Sequence, residues 1–283
     1  RGKHNARDLS REQACDLMGQ LLDGAVSDLE TGAFCIAMRV KGETPDELAG
    51  FMDALDSRLN RLTNQSPSPV VVLPSYNGAR KLPVLTPLLA LLLAREGLSV
   101  LVHGTATESQ RVLSSDVLTA LNIQALTSIV PLSAGQVAFA PTELLCPGLK
   151  RLLDVRRLVG LRNPAHSLVK LMNPCLGQAL VVSSYTHPEY AISMAQTIEL
   201  MQANALLLRG TEGEVVADAR RMPPMDGFLQ GQRMALETAQ TGTLATLPDL
   251  PKAIDAATTA AYIEAVLAGR QAVPTPIARQ VEH

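Results

Sequence analysis

An alternation that begins at Val70 most constrains the fold of this chain. Short β-branched or aliphatic runs recur, and longer stretches with helical spacing separate them. Val70-Val71-Val72, Ser99–Val102, Gln136–Phe139, Ala179–Ser183 and Ala205–Leu208 read as strands. Leu85–Arg95, Asp116–Leu121 and Pro188–Gln202 read as helices. Strands this short and apolar, spaced by helices, predict a mostly parallel sheet covered on both faces. The core must be aliphatic, because aromatics make up 3% of the chain and Trp is absent.

Three helices are expected before the alternation. Ser10-Arg11-Glu12-Gln13, Ser27-Asp28-Leu29-Glu30 and Thr44-Pro45-Asp46-Glu47 are capping-box patterns. In each, a hydroxyl and a polar side chain three residues on satisfy the first free amides reciprocally. Asn64–Pro69 reads as a linker. The opening helices are too few to cover apolar stripes that include Phe34, Ile36, Met38, Phe51 and Leu55, so a two-fold homodimer through them is expected.

Charge is unevenly distributed. The net charge is −2, yet residues 66–175 carry ten basic and five acidic side chains, a balance of +5. Most of that excess lies in Cys146–Pro174, where Lys150, Arg151, Arg156, Arg157, Arg162 and Lys170 face one acid, Asp154. Such a concentration points to an anionic partner. Asn77-Gly78-Ala79-Arg80-Lys81 is a second candidate, a turn that can grip phosphate through amides and two cations. His166 and Lys170 are four apart and share a helix face, forming with Arg162 a candidate phosphate-tracking edge. His103 ends a strand and is expected to be a buried, hydrogen-bonded structural histidine. Gly210-Thr211-Glu212-Gly213 reads as a tight strand-end turn.

Cys15, Cys35, Cys146 and Cys175 lack metal-ligand or CxxC spacing, so neither zinc nor a disulfide framework is expected, and a reducing cytoplasm fits. No signal peptide or membrane span is expected: the apolar run Leu82–Ala94 is short and contains Pro83 and Pro87. The chain opens at Arg1 without an initiator Met, so further N-terminal residues are expected.

The pattern F-A-P…P-G…R-R…G-L-R-N-P-A…L…N-P over Phe139–Pro174 resembles the signature of the anthranilate phosphoribosyltransferase family. So do Leu101-Val102-His103-Gly104-Thr105, Val112–Leu121 and Arg209–Glu214, in the same order. The resemblance implies a small helical domain, residues 1–64 with part of 145–175 packed on it. It also implies an α/β domain, residues 65–283, of the nucleoside phosphorylase and phosphoribosyltransferase type. Ser75, Asn77, Gly78, Thr86, His103, Gly104 and Asn173 then mark remnants of a phosphoribosyl site. Arg162 matches the arginine that contacts anthranilate.

The departures fall on the chemistry. The family's glycine loop, which lets amides approach a diphosphate, is here Pro74-Ser75-Tyr76-Asn77-Gly78. Its magnesium-holding acid pair falls on Val215-Val216, and valine offers magnesium no oxygen. The pattern P-S-Y-N-G-A-R-K, with H-G-T and G-T-E-G-E-V, is similar instead to the YbiB-type paralogues of the family. Those keep the fold and the dimer but bind nucleic acid without detectable transferase activity. The expectation is therefore a catalytically degenerate protein with no catalytic residue, metal or cofactor. It binds single- or double-stranded nucleic acid nonspecifically through Arg80, Lys81, Lys150, Arg151, Arg156, Arg157, Arg162, His166 and Lys170. The alternative is an active transferase using phosphoribosyl pyrophosphate, magnesium and anthranilate or a related acceptor.

Overall fold

All three capping boxes form. Ser10, Ser27 and Thr44 each accept from the amide three residues on, and Gln13, Glu30 and Glu47 return a bond to the cap amide. They start α1 (Arg11–Asp23), α2 (Asp28–Lys41) and α3 (Pro45–Asp56). The computed structural model describes residues 6–107, 110–244 and 247–283; Arg1-Gly2-Lys3, part of the expected first domain, lies outside them.

Phe51 and Leu55 of α3 are fully buried, and Met38 of α2 is nearly so. This corrects their expected place at a subunit interface, because one protomer already covers them. α2 instead leaves open Leu29, Ile36 and Val40, which are 83%, 39% and 53% exposed.

The five expected strands are all present, as β1 (Val70–Pro74), β2 (Val100–Gly104), β3 (Val137–Pro141), β4 (Ala179–Tyr185) and β5 (Ala205–Arg209). The structure adds β6 (Met225–Leu229) and β7 (Gln232–Glu237), a hairpin turned at Gln230-Gly231, where both φ values are positive. The sheet order is β3-β2-β1-β4-β5-β6-β7. The first five strands are parallel, and β6 and β7 extend the edge antiparallel.

Between the strands run α4 (Thr86–Arg95), α5 (Ser114–Ala120), α6 (Thr142–Leu145), α7 (Pro147–Val159), α8 (Ala165–Leu171) and α9 (Pro188–Leu200). α10 (Ala256–Leu267) and α11 (Thr275–Glu282) close the chain. Side chains alternate across the strands, and the core divides accordingly. Val70 and Val72 join the cluster built with α1, α3, α7, α8 and α9. Val71 and Leu73 join the cluster built with α4, α5, α10 and α11. Both faces of the sheet are thus covered, as short apolar strands require.

The Asn64–Pro69 segment and its approach are pinned. Gln65 N donates to Leu132 O at 2.9 Å, and just before the segment Leu62 N donates to Pro174 O at 3.0 Å. Strand order reverses direction at β1 and β4, which lie side by side. In open α/β sheets the crevice beyond the strand ends at such a switch point is where ligands bind. The loops after β1, β4 and β5 all emerge there.

Candidate functional site

The loop after β1 is fixed from both sides. Ala79 N donates to Val112 O at 2.8 Å, and Val112 N returns a bond to Ala79 O at 3.0 Å. Gly78 has φ +67, and a Cβ there would lie 2.6 Å from Val112 O. Gly104, at the end of β2, is pressed against the same loop; its Cβ would lie 1.9 Å from Ser75 O. Glycine is required at both positions, one by conformation and space, the other by space.

The loop's amides point at two carboxylates of this chain. Glu214 Oε1 accepts from Asn77 N at 3.0 Å and from Gly78 N at 2.8 Å. Its Oε2 accepts from Thr86 Oγ1 at 3.0 Å, from Ser114 Oγ at 3.4 Å and from Ser75 Oγ. Glu212 accepts from Arg80 N at 2.8 Å, Lys81 N at 2.8 Å and Leu82 N at 3.0 Å. Five backbone N–H groups therefore converge on two carboxylates. Convergent amides of this kind form an anion nest, here filled from within. Glu214 is 1% exposed, and its five donors compensate the burial of its charge. Glu212 adopts φ +53, a left-handed conformation that costs a non-glycine residue about 1–2 kcal/mol; its three amide bonds offset that cost.

Glu212 and Glu214 are the residues that sequence reasoning missed. The signal was G-T-E-G-E directly after a strand. The expected turn is there, as a single 3-10 turn over Thr211–Gly213, but its acids serve as internal ligands. Val215 and Val216 are buried at 0% and 2% exposure, and Glu214 faces the amides. The residues present do not fit the magnesium site of the transferases.

Beside this loop lies a cleft of about 750 Å³. Its floor includes the buried side chains of Tyr76, His166, Lys170 and Ser184, and its rim the exposed Arg39, Arg80, Lys81, His187 and Tyr190. Arg162 Nη2 donates to Asn77 Oδ1 at 2.8 Å. Tyr76 OH donates to His166 O at 2.9 Å. Lys170 Nζ donates to Ser184 O at 2.6 Å and lies 6.0 Å from the Tyr76 ring centroid. Burial, then the positive charge of Arg162, brings the Lys170 ammonium down to about 8, against a smaller opposing pull from Glu214. Burial, then Arg162, brings His166 down to about 3, so this ring is neutral at physiological pH. Burial also raises the Tyr76 phenol to about 12.

The structure divides the expected basic set. Arg80, Lys81, Arg162, His166 and Lys170 gather around the cleft with Asn77. His166 and Lys170, however, are 5% and 8% exposed. This corrects the expected exposed stripe: both side chains of α8 turn into the protein, and Arg162 precedes the helix. Lys150, Arg151, Arg156 and Arg157 lie on α7, outside the cleft lining. Lys150 pairs with Asp154. Arg151 Nη2 donates to Leu22 O at 2.7 Å, and Arg157 Nη2 donates to Ala106 O at 2.8 Å. Arg151 and Arg157 nonetheless remain exposed.

Among the remnants, Ser75 and Thr86 bind Glu214. Asn173 caps its own turn, accepting from Cys175 N at 3.0 Å, and does not line the cleft. His103 is buried as expected. It is not hydrogen-bonded as expected, since neither ring nitrogen has a partner among the described residues. Burial alone holds it neutral, at about 3.

Comparison with known proteins places this architecture. Residues 1–58 match the model described as "Glycosyl transferase family, helical bundle domain". The chain is 40% identical over 288 residues to the uncharacterized protein YbiB of Escherichia coli K12, spanning 99% of this chain and 89% of that one. It is 30% identical over 240 residues to the anthranilate phosphoribosyltransferase of Desulfosudis oleivorans, spanning 80% and 69%. The crystal structure of anthranilate phosphoribosyltransferase from Thermus thermophilus superposes with a TM-score of 0.75 at 23% identity, over 97% of this chain and 83% of that one. The fold is thus that of a phosphoribosyltransferase with an N-terminal helical bundle. The chain belongs to the anthranilate phosphoribosyltransferase family, and YbiB is among its relatives.

Proposed function

We propose that this chain is a family member without transferase activity that binds nucleic acid through phosphate contacts, without sequence selection. The observation that carries the proposal is Glu214. Phosphoribosyl transfer needs a cradle that holds a diphosphate and neutralises its developing charge. Here the amides of Asn77 and Gly78 already bind a carboxylate of the chain. A diphosphate entering that place would meet a negative charge instead of free donors.

The cations point elsewhere. The Arg80 and Lys81 side chains are exposed at the cleft rim, and Arg151 and Arg157 are exposed on α7. Such an array tracks phosphates, and no described element carries the base-reading pattern of a sequence-specific protein. Leu29, Ile36 and Val40 supply an apolar face for a homodimer, which would present two such arrays to one strand.

Titration of labelled oligonucleotides over a range of salt concentrations tests the proposal. Log affinity should fall linearly with log salt, with a slope of about −0.7 per neutralised phosphate on single strands and about −0.9 on duplex. Replacing Arg151 and Arg157 by Ala should flatten that slope for all sequences alike. Salt-insensitive binding would overturn the assignment. A second reading, phosphoribosyl transfer to an aromatic acceptor, draws on the cleft itself and on Arg162 within it. Turnover with phosphoribosyl pyrophosphate and magnesium is its test.

A further inference from the structure

One buried nucleophile of the cleft has no part in the proposed function. Lys170 is 8% exposed and lines the cleft. Its charged form is disfavoured, first by burial and then by Arg162, with Glu214 opposing, which brings it to about 8. At pH 7 about a tenth of such an amine is neutral, against about one in 2,500 for an ordinary lysine. A desolvated lysine near a second cation is the arrangement that makes an amine nucleophilic toward a carbonyl carbon.

The local geometry aims the amine. Lys170 Nζ donates to Ser184 O at 2.6 Å and, more weakly, to Ser184 Oγ at 3.5 Å. The Ser184 hydroxyl gives its own proton to Gly213 O at 2.9 Å, so it offers Lys170 only lone pairs. Ser183 Oγ donates to Lys170 O at 2.5 Å and ties the end of α8 to β4. The neutral amine therefore keeps both N–H groups on Ser184, and its lone pair faces away from that residue. The Tyr76 ring centroid lies 6.0 Å from Nζ, and the Tyr76 phenol is committed to His166 O at 2.9 Å. Neither Ser184 nor Tyr76 donates to the amine, so its lone pair is available for attack.

The charge of the cleft selects the carbonyl compound. Among the described residues, six cationic side chains and three carboxylates line it. One of the three, Glu212, is already held by the amides of Arg80, Lys81 and Leu82. The side chains of Arg39, Arg80 and Lys81 stand exposed at the rim. This excess of positive charge favours an anionic ligand, and a volume of about 750 Å³ suits a small molecule.

We propose that Lys170 captures a small phosphorylated aldehyde as an imine in this cleft. The amine nitrogen bonds to the carbonyl carbon as the C=O π bond opens, and one proton passes from nitrogen to oxygen, giving a carbinolamine. The nitrogen lone pair then forms the C=N bond as the C–O bond breaks, and the hydroxyl leaves as water with the second nitrogen proton. Amine and aldehyde thus give imine and water, with no oxidant or reductant. This capture stands apart from the nucleic-acid reading and does not depend on it.

The test treats the wild-type protein with glyceraldehyde 3-phosphate or glyceraldehyde, in the presence of cyanoborohydride to trap imines, and locates the label by peptide mass mapping. The chain has six lysines, of which the exposed Lys81 and Lys252 serve as internal references. At limiting aldehyde, Lys170 should carry about tenfold more label than either reference. The phosphorylated aldehyde should label Lys170 about tenfold faster than glyceraldehyde does. Inorganic phosphate should protect Lys170 and leave Lys252 unchanged. Label confined to the exposed lysines, or spread evenly over all six, overturns the capture site. Equal labelling of Lys170 by the two aldehydes overturns the anionic class of ligand. Because the label is read on the unaltered protein, neither result depends on whether a Lys170 variant folds.

Discussion

Removing the Glu214 carboxylate tests whether it serves as the built-in ligand of the β1 loop. In Glu214→Ala the amides of Asn77 and Gly78 lose their acceptor, as do the hydroxyls of Ser75, Thr86 and Ser114. The hydroxyls can reorient toward one another, since Ser75 Oγ and Ser114 Oγ already lie 2.7 Å apart. The two amides cannot, and a buried donor left unsatisfied costs about 1–3 kcal/mol. Relief of a buried charge returns part of this, so the expected loss is about 3 kcal/mol in urea denaturation. Phosphate should then stabilise the variant more than the wild type, by about 2.7 kcal/mol at a hundredfold excess over the dissociation constant of the emptied loop. A loss below about 1 kcal/mol, with no phosphate effect, would show that the carboxylate does not hold the loop.

Further outcomes are expected. Anthranilate should not be phosphoribosylated above background with phosphoribosyl pyrophosphate and magnesium; turnover abolished by Arg162→Ala would overturn the proposed absence of transferase activity. Lys170 titrates at about 8 in the folded chain instead of 10.5. Between those values the unfolded chain holds the extra proton, so stability rises with pH. Wild type should therefore gain about 3 kcal/mol relative to Lys170→Met between about pH 7 and 11, and parallel stability curves would refute the buried ammonium. Light scattering should report a homodimer at micromolar concentration, and Ile36→Asp with Val40→Asp should give a monomer; a monomeric wild type would refute the apolar face of α2 as an interface.

The sequence exposed most of the fold because the fold rests on periodicity. Val70 to Leu73 alternate between two cores, and three capping boxes fix where the first helices begin. The β6–β7 hairpin was less visible: β7 is mostly exposed, so burial imposes no alternation on it, and its turn is a plain Gln-Gly. The site was less legible still. Periodicity placed His166 and Lys170 on one face of α8 correctly, but charge suggested that this face was wet. Only the tertiary packing of α8 over Tyr76 and β4 shows that it is dry. Glu212 and Glu214 lie more than 130 residues from most of the amides they bind, and no local pattern announces a contact that distant.

The two glutamates also explain how a loop of convergent amides can keep its shape without a bound ligand. Unfilled, the amides of Asn77 and Gly78 would be unsatisfied inside the protein, the amides of Arg80, Lys81 and Leu82 at its surface would lose the carboxylate that gathers them, and the loop would depend on a bound anion for its shape. Glu212 and Glu214 supply that anion covalently, so the loop is ordered without a ligand. The geometry then separates the two parts of the Arg80-Lys81 pair. Their amides face inward to Glu212, while their side chains stand exposed at the rim. A carboxylate bound by backbone amides therefore holds two cations outward without pairing with either charged head group. Replacing Glu212 by Ala would free the loop and blur the position of both side chains, even though neither cation is touched. Rim binding should weaken in that variant at unchanged net basic content, and its salt slope should stay near that of the wild type if the loss is one of ordering and not of charge.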